Sequence, residues 1–485
     1  MARSGRPVRA LSEGHGMATR PGSVGELRAS GYPDRTVKQE VAANAALRLR
    51  QGLPIVDGLV GFSETVLPAL ETALLAGHDV ILLGERGQAK SRILRSLVAL
   101  LDDAMPVIAG SEVNDHPYRP FSPGARRLVA ERGDDTPLEW RTPDERFAEK
   151  LATPDIAVAD LIGDVDPIKV AEGRHLGDEE TIHFGLIPRH NRGIIAINEL
   201  PDLAERIQVA LLNVMEERDV QVRGYSLRLP LDLLVVATAN PEDYTNRGRI
   251  ITPLKDRFGA EVRTHYPTGP DDEVAVMRQE AVLPTADALP PVIVPQFMAE
   301  VLAAFTRGLR AAPEVNHRSG VSVRFSIANY ETLVGSALRR ALRSGETTAV
   351  ARPADLGHVV TAGLGKVEFE TFEEGREVEV LERLLRRAVQ EVFRRRTSGV
   401  DLSGIVSHFE QGLTIETGDL VAGEELLRQL GHVPGLARLL TALDVEEESP
   451  PLAAAAVEFA LEGLHLQRRI DRDEVTPGVV RFGRR

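Results

Sequence analysis

The sequence contains no cysteine. Structural disulfides and thiolate metal sites are therefore excluded, which fits a reducing cytoplasm. No apolar run approaches the roughly 18–20 residues that a membrane-spanning helix needs. Residues 1–16 carry arginines but lack the apolar core of a secretory signal. Positive charge is in deficit: 58 Lys and Arg against 72 Asp and Glu give a net charge of −14. That balance argues against a general nucleic-acid-binding surface, although it leaves room for a local basic pore. No internal repeat is found. What remains is a chain of 485 residues, 43 % apolar and 27 % charged. Such a chain reads as globular, with length for two to four domains.

The most informative stretch is residues 84–91, GERGQAKS. It follows the apolar run Val80-Ile81-Leu82-Leu83 and precedes residues 92–101, whose apolar positions recur at helical spacing. Strand, glycine loop and a Lys-Ser pair opening a helix form the context of a phosphate-binding loop. Gly84, Glu85, Arg86, Gly87, Gln88, Ala89, Lys90 and Ser91 are thus candidate nucleotide-binding residues. Loop amides and the helix N-terminus offer positive partial charge to phosphate oxygens. Lys90 would reach the β- and γ-phosphates, and the Ser91 hydroxyl would ligate Mg²⁺. Ala89 stands where the pattern expects its second glycine. Glycine there tolerates positive φ and lets the backbone approach phosphate. The alternative is an ordinary strand–turn–helix connection with a chance lysine.

Further along, 194–197 and 233–238 read as strands buried on both faces of a parallel sheet. Strands are also expected at 105–109 and 260–263, helices at 37–51, 66–75 and 203–218, and a hairpin at 220–229. Residues 110–190 are long for one connection and imply inserted elements. The alternation predicts a doubly wound α/β sheet. Four segments are expected: a disordered lead-in over 1–40, an α/β domain over 41–267, a helical lid over 268–396 and a C-terminal helical region over 397–485. In the lid, helices are expected at 270–279, 295–309, 327–343 and 377–396.

ATP hydrolysis on such a sheet needs a phosphate cradle, a metal, a carboxylate to orient water and positive charge for the transition state. Glu199, at the end of a buried strand, is the candidate base. Asn198 stands where an Asp would support Mg²⁺; its amide oxygen can accept, but it lacks the charge. Asn240 is placed to hydrogen-bond the γ-phosphate or the water. Arg257 is a candidate arginine finger, and Arg324 a candidate from a second domain. Each has a bland reading as well: a helix cap, an Asn-Pro turn or a solvated Asp-Arg pair.

In order, the segments Gly185-Leu186-Ile187-Pro188, Arg192-Gly193-Ile194-Ile195-Ala196-Ile197-Asn198-Glu199-Leu200, Ala239-Asn240-Pro241-Glu242 and Leu254-Lys255-Asp256-Arg257-Phe258-Gly259 resemble the AAA+ module of the magnesium chelatase I subunit and its MoxR-type relatives. The resemblance covers about residues 55–345. It implies an AAA+ P-loop ATPase using ATP and Mg²⁺, with Walker A residues at Lys90 and Ser91 and the Walker B pair at Asn198 and Glu199. It further implies sensor 1 at Asn240, the finger at Arg257 and sensor 2 at Arg324, with Arg318 as an alternative. It implies inserted hairpins, matched by 152–185 and 220–229. It also implies a homo-oligomeric ring, usually a hexamer, and a separate partner bearing a von Willebrand A domain, since no D-x-S-x-S run occurs here. The reading favoured is a ring protein that remodels a partner protein or assists metal insertion. The ATPase subunit of a true magnesium or cobalt chelatase, and a nucleotide-binding switch with little turnover, stay open. The GAFTGA loop of enhancer-binding activators is absent.

Overall fold

The computed structural model describes residues 20–165, 181–216, 220–222, 225–227, 229–241, 249–316, 320–370, 375–430, 435–445 and 449–484. They form two compact units. The first takes in the chain up to Asp57, Val66–Leu83 and Ser91–Val262; the second takes in Gly58–Thr65, Gly84–Lys90 and Arg263–Arg485. Among the described residues no helix is long and apolar enough to cross a membrane.

The first unit is built on a sheet. Val80–Leu83, Gly193–Asn198 and Leu233–Ala239 are buried at every position, as strands covered on both faces must be. With Ala260–Arg263 and Phe147–Leu151 they make five strands in the order 260–263, 80–83, 233–239, 193–198, 147–151. The three pairings from 80–83 across to 147–151 are parallel. Their register sets Leu83 beside Ala239 and Leu151 beside Asn198. Asn198 and Ala239 therefore end their strands at the same edge. Helix Glu205–Glu216 buries Ile207, Leu211, Val214 and Met215 in the core of this unit.

The structure departs from the sequence expectations at several elements. Strand Phe147–Leu151 was not anticipated, because Ala, Glu and Lys are poor strand formers and it lies at an edge. The expected strand at 105–109 is Met105–Ile108, but it pairs antiparallel with Leu138–Arg141 outside the main sheet. Pro106 has no N–H to give a ladder, so a two-stranded edge suits it. The lead-in is ordered from Arg20 onward. Helix Val24–Ala29 is capped by Ser23 and buries Val24 and Leu27. The Val24 amide donates to the Thr136 carbonyl at 3.0 Å, and the Trp140 indole N–H donates to the Pro21 carbonyl at 3.0 Å. The Trp140 ring meets Tyr32 edge-on. Residues 1–19 lie outside the described residues. The inserted region holds an antiparallel pair, Gly163–Val165 with Ile182–Phe184. Val220–Val222 pairs with Tyr225–Leu227.

The second unit is mainly helical. Its helices include Pro270–Glu280, Gln296–Arg310, Val323–Ser344, Glu377–Arg396 and Pro450–Leu466. Glu377–Arg396 carries glutamates in its first turn and arginines in its last, matching the helix dipole. Residues on both sides of 396 share one apolar core that runs from Val274 to Phe482. Phe297 stacks on Phe459, and Phe393 meets Phe459 edge-on. The stretch expected as a separate C-terminal region thus belongs to the same core as the lid. Besides helices it holds a three-stranded antiparallel sheet of Ile415–Thr417, Val479–Gly483 and Asp471–Thr476.

One buried ion pair fixes the entry to the edge strand. Arg146, fully buried, makes a bidentate pair with Glu40 at 2.7 Å for each bond and also donates to the Arg192 carbonyl. Phe147 follows it directly. Breaking such a pair strands a charge away from water and costs about 3–5 kcal/mol. Arg146→Ala is therefore expected to lower the urea midpoint sharply. Arg28→Ala, which removes the mostly exposed pair with Asp134, is expected to change stability by less than about 1 kcal/mol.

Candidate active site

In the second unit, residues 84–90 are held by their own side chains and by two elements of that unit. The Glu85 amide donates to Gln88 Oε1 at 3.0 Å, and Thr264 Oγ1 donates to the same oxygen at 2.9 Å. Tyr266 donates to the Arg86 carbonyl at 3.0 Å. Lys90 Nζ donates to the carbonyls of Gly84 and Glu85, so the ammonium lies along the loop backbone. Gly87 has φ +78°, and a Cβ there would stand 2.1 Å from Ser322 Oγ. Only glycine fits. Ser322 caps helix Val323–Ser344. Arg324, exposed, sits in the first turn of that helix, its amide donating to Ser322 Oγ at 3.0 Å. The turn that carries Arg324 is thus the one that meets the loop at Gly87. Arg318 lies outside the described residues.

Ala89 has φ +57°. The position needs the left-handed conformation for which glycine was expected, and alanine occupies it at a cost of roughly 1–2 kcal/mol.

In the first unit, the ends of three neighbouring strands bring a hydrogen-bonded set together. Ser91 Oγ donates to Asn198 Oδ1 at 3.4 Å, and Thr238 Oγ1 donates to the same oxygen at 3.3 Å. The Glu199 amide donates to Thr238 Oγ1 at 2.9 Å. Asn240 Nδ2 donates to Glu199 Oε2 at 2.5 Å. Asn198 Nδ2 donates to Glu149 Oε1 on the edge strand. Arg95 grips both oxygens of Glu149, at 2.6 and 3.0 Å, and this bond raises the Arg95 pKa above its ordinary value. Glu199 has φ +58°, a left-handed backbone that a non-glycine residue holds only where its surroundings enforce it. The turn carries its carboxylate out of the strand line toward Asn240.

Of the residues singled out from sequence, Ser91, Asn198, Glu199 and Asn240 come together in this unit. Arg257 ends helix Thr252–Arg257 and has an ion pair with Glu216 instead, its side chain 43 % exposed. Sequence reasoning missed Glu149 and Thr238. Thr238 was inside the expected strand, and its hydroxyl was the available signal. Gln88, Thr264 and Tyr266 as props of the loop were also not legible as such.

Among the described residues no three His, Asp or Glu side chains converge as a metal cage. The Ser91 hydroxyl and the Asn198 amide oxygen are nonetheless hard oxygen donors of the kind Mg²⁺ takes alongside water and phosphate oxygens. The donor set fits that ion.

Residues 143–259 match the model of the "ATPase family associated with various cellular activities (AAA)". That span contains Glu149, Asn198, Glu199, Thr238, Asn240 and Arg257. The chain is similar over 236 residues to the magnesium-chelatase 38 kDa subunit of Rhodobacter capsulatus, at 29 % identity, covering 46 % of this chain and 59 % of that protein. Residues 143–259 are thus similar to an AAA ATPase domain. The chain is 30 % identical over 234 residues to the 38 kDa subunit of Cereibacter sphaeroides, covering 46 % of this chain and 61 % of that one. It is 27 % identical over 229 residues to the magnesium-chelatase subunit ChlI of Anabaena variabilis, covering 46 % and 62 %. The chain thus spans about three-fifths of the length of the chelatase subunits it matches.

The loop strain is testable. Ala89→Gly is expected to stabilise the protein by about 0.5–1 kcal/mol, the left-handed penalty exceeding the entropy glycine adds to the unfolded chain. Gly87→Ala is expected to do the reverse. Urea midpoints of the two variants against the parent give the signs.

Proposed function

We propose that this chain binds ATP with Mg²⁺ and hydrolyses it, working as a homo-oligomeric AAA+ ring that remodels a partner protein or assists metal insertion. The observation that carries the reading is the Asn240–Glu199 bond at 2.5 Å, made by a carboxylate on a strained turn at a strand end. In this reading residues 84–90 hold the phosphates, with Lys90 leaving its loop carbonyls for phosphate oxygens. Ser91 and Asn198 hold the metal. Mg²⁺, when bound, supplies charge neutralisation on the phosphate oxygens. Glu199 takes a proton from the attacking water, and Asn240 fixes the carboxylate that does so. Arg257 serves the nucleotide of a neighbouring subunit and Arg324 that of its own.

The relatives' names make the ATPase subunit of a magnesium chelatase the second reading. In either case the ring, six-membered by resemblance, would act on a separate protein, which the resemblance suggests bears a von Willebrand A domain. The acidic net charge makes nucleic acid a poor client.

Glu199→Gln keeps an oxygen for Asn240 but removes the base. It is expected to lower phosphate release by about 10²–10⁴-fold while nucleotide binding, followed with a fluorescent ATP analogue, stays near the parent value. Equal hydrolysis by parent and variant overturns the assignment.

A finger acting in trans has its own signature. Mixing parent subunits with Arg257→Ala subunits is expected to depress ATPase activity more steeply than dilution. A decline in simple proportion to the parent fraction argues against the role.

A further inference from the structure

The geometry points to Glu149 as a positioning residue that supplies, through Asn198, the negative charge the metal site lacks at position 198. The inference rests on the nucleotide site proposed above and names a residue it did not include.

The argument begins with register. Leu151 stands opposite Asn198 in the parallel ladder, and Glu149 opposite Ala196. Ala148 is buried in the core of the unit, and alternation turns Glu149 to the other face. From there its side chain reaches Asn198. Arg95 holds both carboxylate oxygens of Glu149, so the group is fixed in place against a guanidinium.

A carboxylate gripped by a guanidinium through both oxygens only accepts hydrogen bonds. The atom of Asn198 that faces Glu149 must therefore be the amide nitrogen. That leaves Oδ1 on the opposite side, where two hydroxyl donors, Ser91 and Thr238, meet it. The orientation of the amide is determined from both ends. The same bond draws positive charge onto the nitrogen and negative charge onto Oδ1, since hydrogen bonds in series polarise one another. A neutral ligand beside such a carboxylate thus acquires part of what an aspartate would bring.

The pair is matched, which is what separates this reading from simple packing. An aspartate at 198 would lose the N–H that Glu149 accepts and would face it with like charge. The carboxylate belongs at 149 or at 198, but not at both. Partners behind a metal ligand, when removed, lower metal affinity by about 10–100-fold.

The test is a double-variant cycle read by binding. Affinity for a fluorescent ATP analogue is measured with Mg²⁺ and with EDTA for the parent, E149Q, N198D and E149Q/N198D. In E149Q the gain in affinity on adding Mg²⁺ is expected to fall about tenfold, with binding in EDTA unchanged. N198D alone is expected to lose as well. The double variant exchanges amide and carboxylate and is expected to recover the Mg²⁺ effect to within about threefold of the parent, a non-additivity that only contacting residues show. A parent-like Mg²⁺ effect in E149Q overturns the inference. So does a double variant no better than either single one, or loss of binding in E149Q with and without metal alike. A parent protein that binds no nucleotide under either condition overturns the proposed function itself.

Discussion

Asn198 ends a strand with no face open to water, and that constraint orders the rest of the first unit. Every backbone donor and acceptor of Gly193–Asn198 must find its partner in the sheet. Leu233–Ala239 on one side and Phe147–Leu151 on the other provide them in fixed register. A slip by one residue would turn each side chain to the wrong face. Once the register is set, Glu149, Asn198 and Thr238 have no choice but to meet. The site chemistry is thus a consequence of ladder geometry more than of any one side-chain contact. Glu40 and Arg146 matter for the same reason: they tie down the segment that leads into the edge strand.

The elements legible from sequence were those whose signal is burial. The apolar strands and the amphipathic helices 205–216, 296–310 and 377–396 announce themselves by period. Asn198, Glu199 and Asn240 were legible because strand ends in a parallel sheet face ligands. Phe147–Leu151 was not, since an edge strand needs only a half-covered face and Phe-Ala-Glu-Lys-Leu has little β preference. Asp471–Thr476 is exposed at every position; its pairing comes from Val479–Gly483, not from its own pattern. The partnership of Glu149 with Asn198 spans 49 residues, and no local rule encodes that distance. Arg257 and Arg324 were legible as positions only: Glu216, the partner of Arg257, lies 41 residues away, and the turn that carries Arg324 meets the loop at Gly87, far back in the sequence.

Of the non-glycine residues with left-handed backbone, two belong to the candidate site, Glu199 and Ala89. Glu199 needs its carboxylate, so glycine cannot replace it, and the Thr238 hydroxyl on its amide helps hold the turn. Ala89 has no comparable polar duty; nothing in the structure explains why alanine stands there instead of glycine. Strain at the first is inseparable from the chemistry proposed for it. Strain at the second only reduces the stability of the loop.

Trp140 has a role unconnected with chemistry. It is the only tryptophan in the 485 residues, and its indole N–H on Pro21 and its ring against Tyr32 place it where the N-terminal segment docks. Its emission is therefore a built-in optical gauge of that docking and of the first unit. Melting followed by tryptophan light and melting followed by helical ellipticity will coincide only if the two units unfold as one.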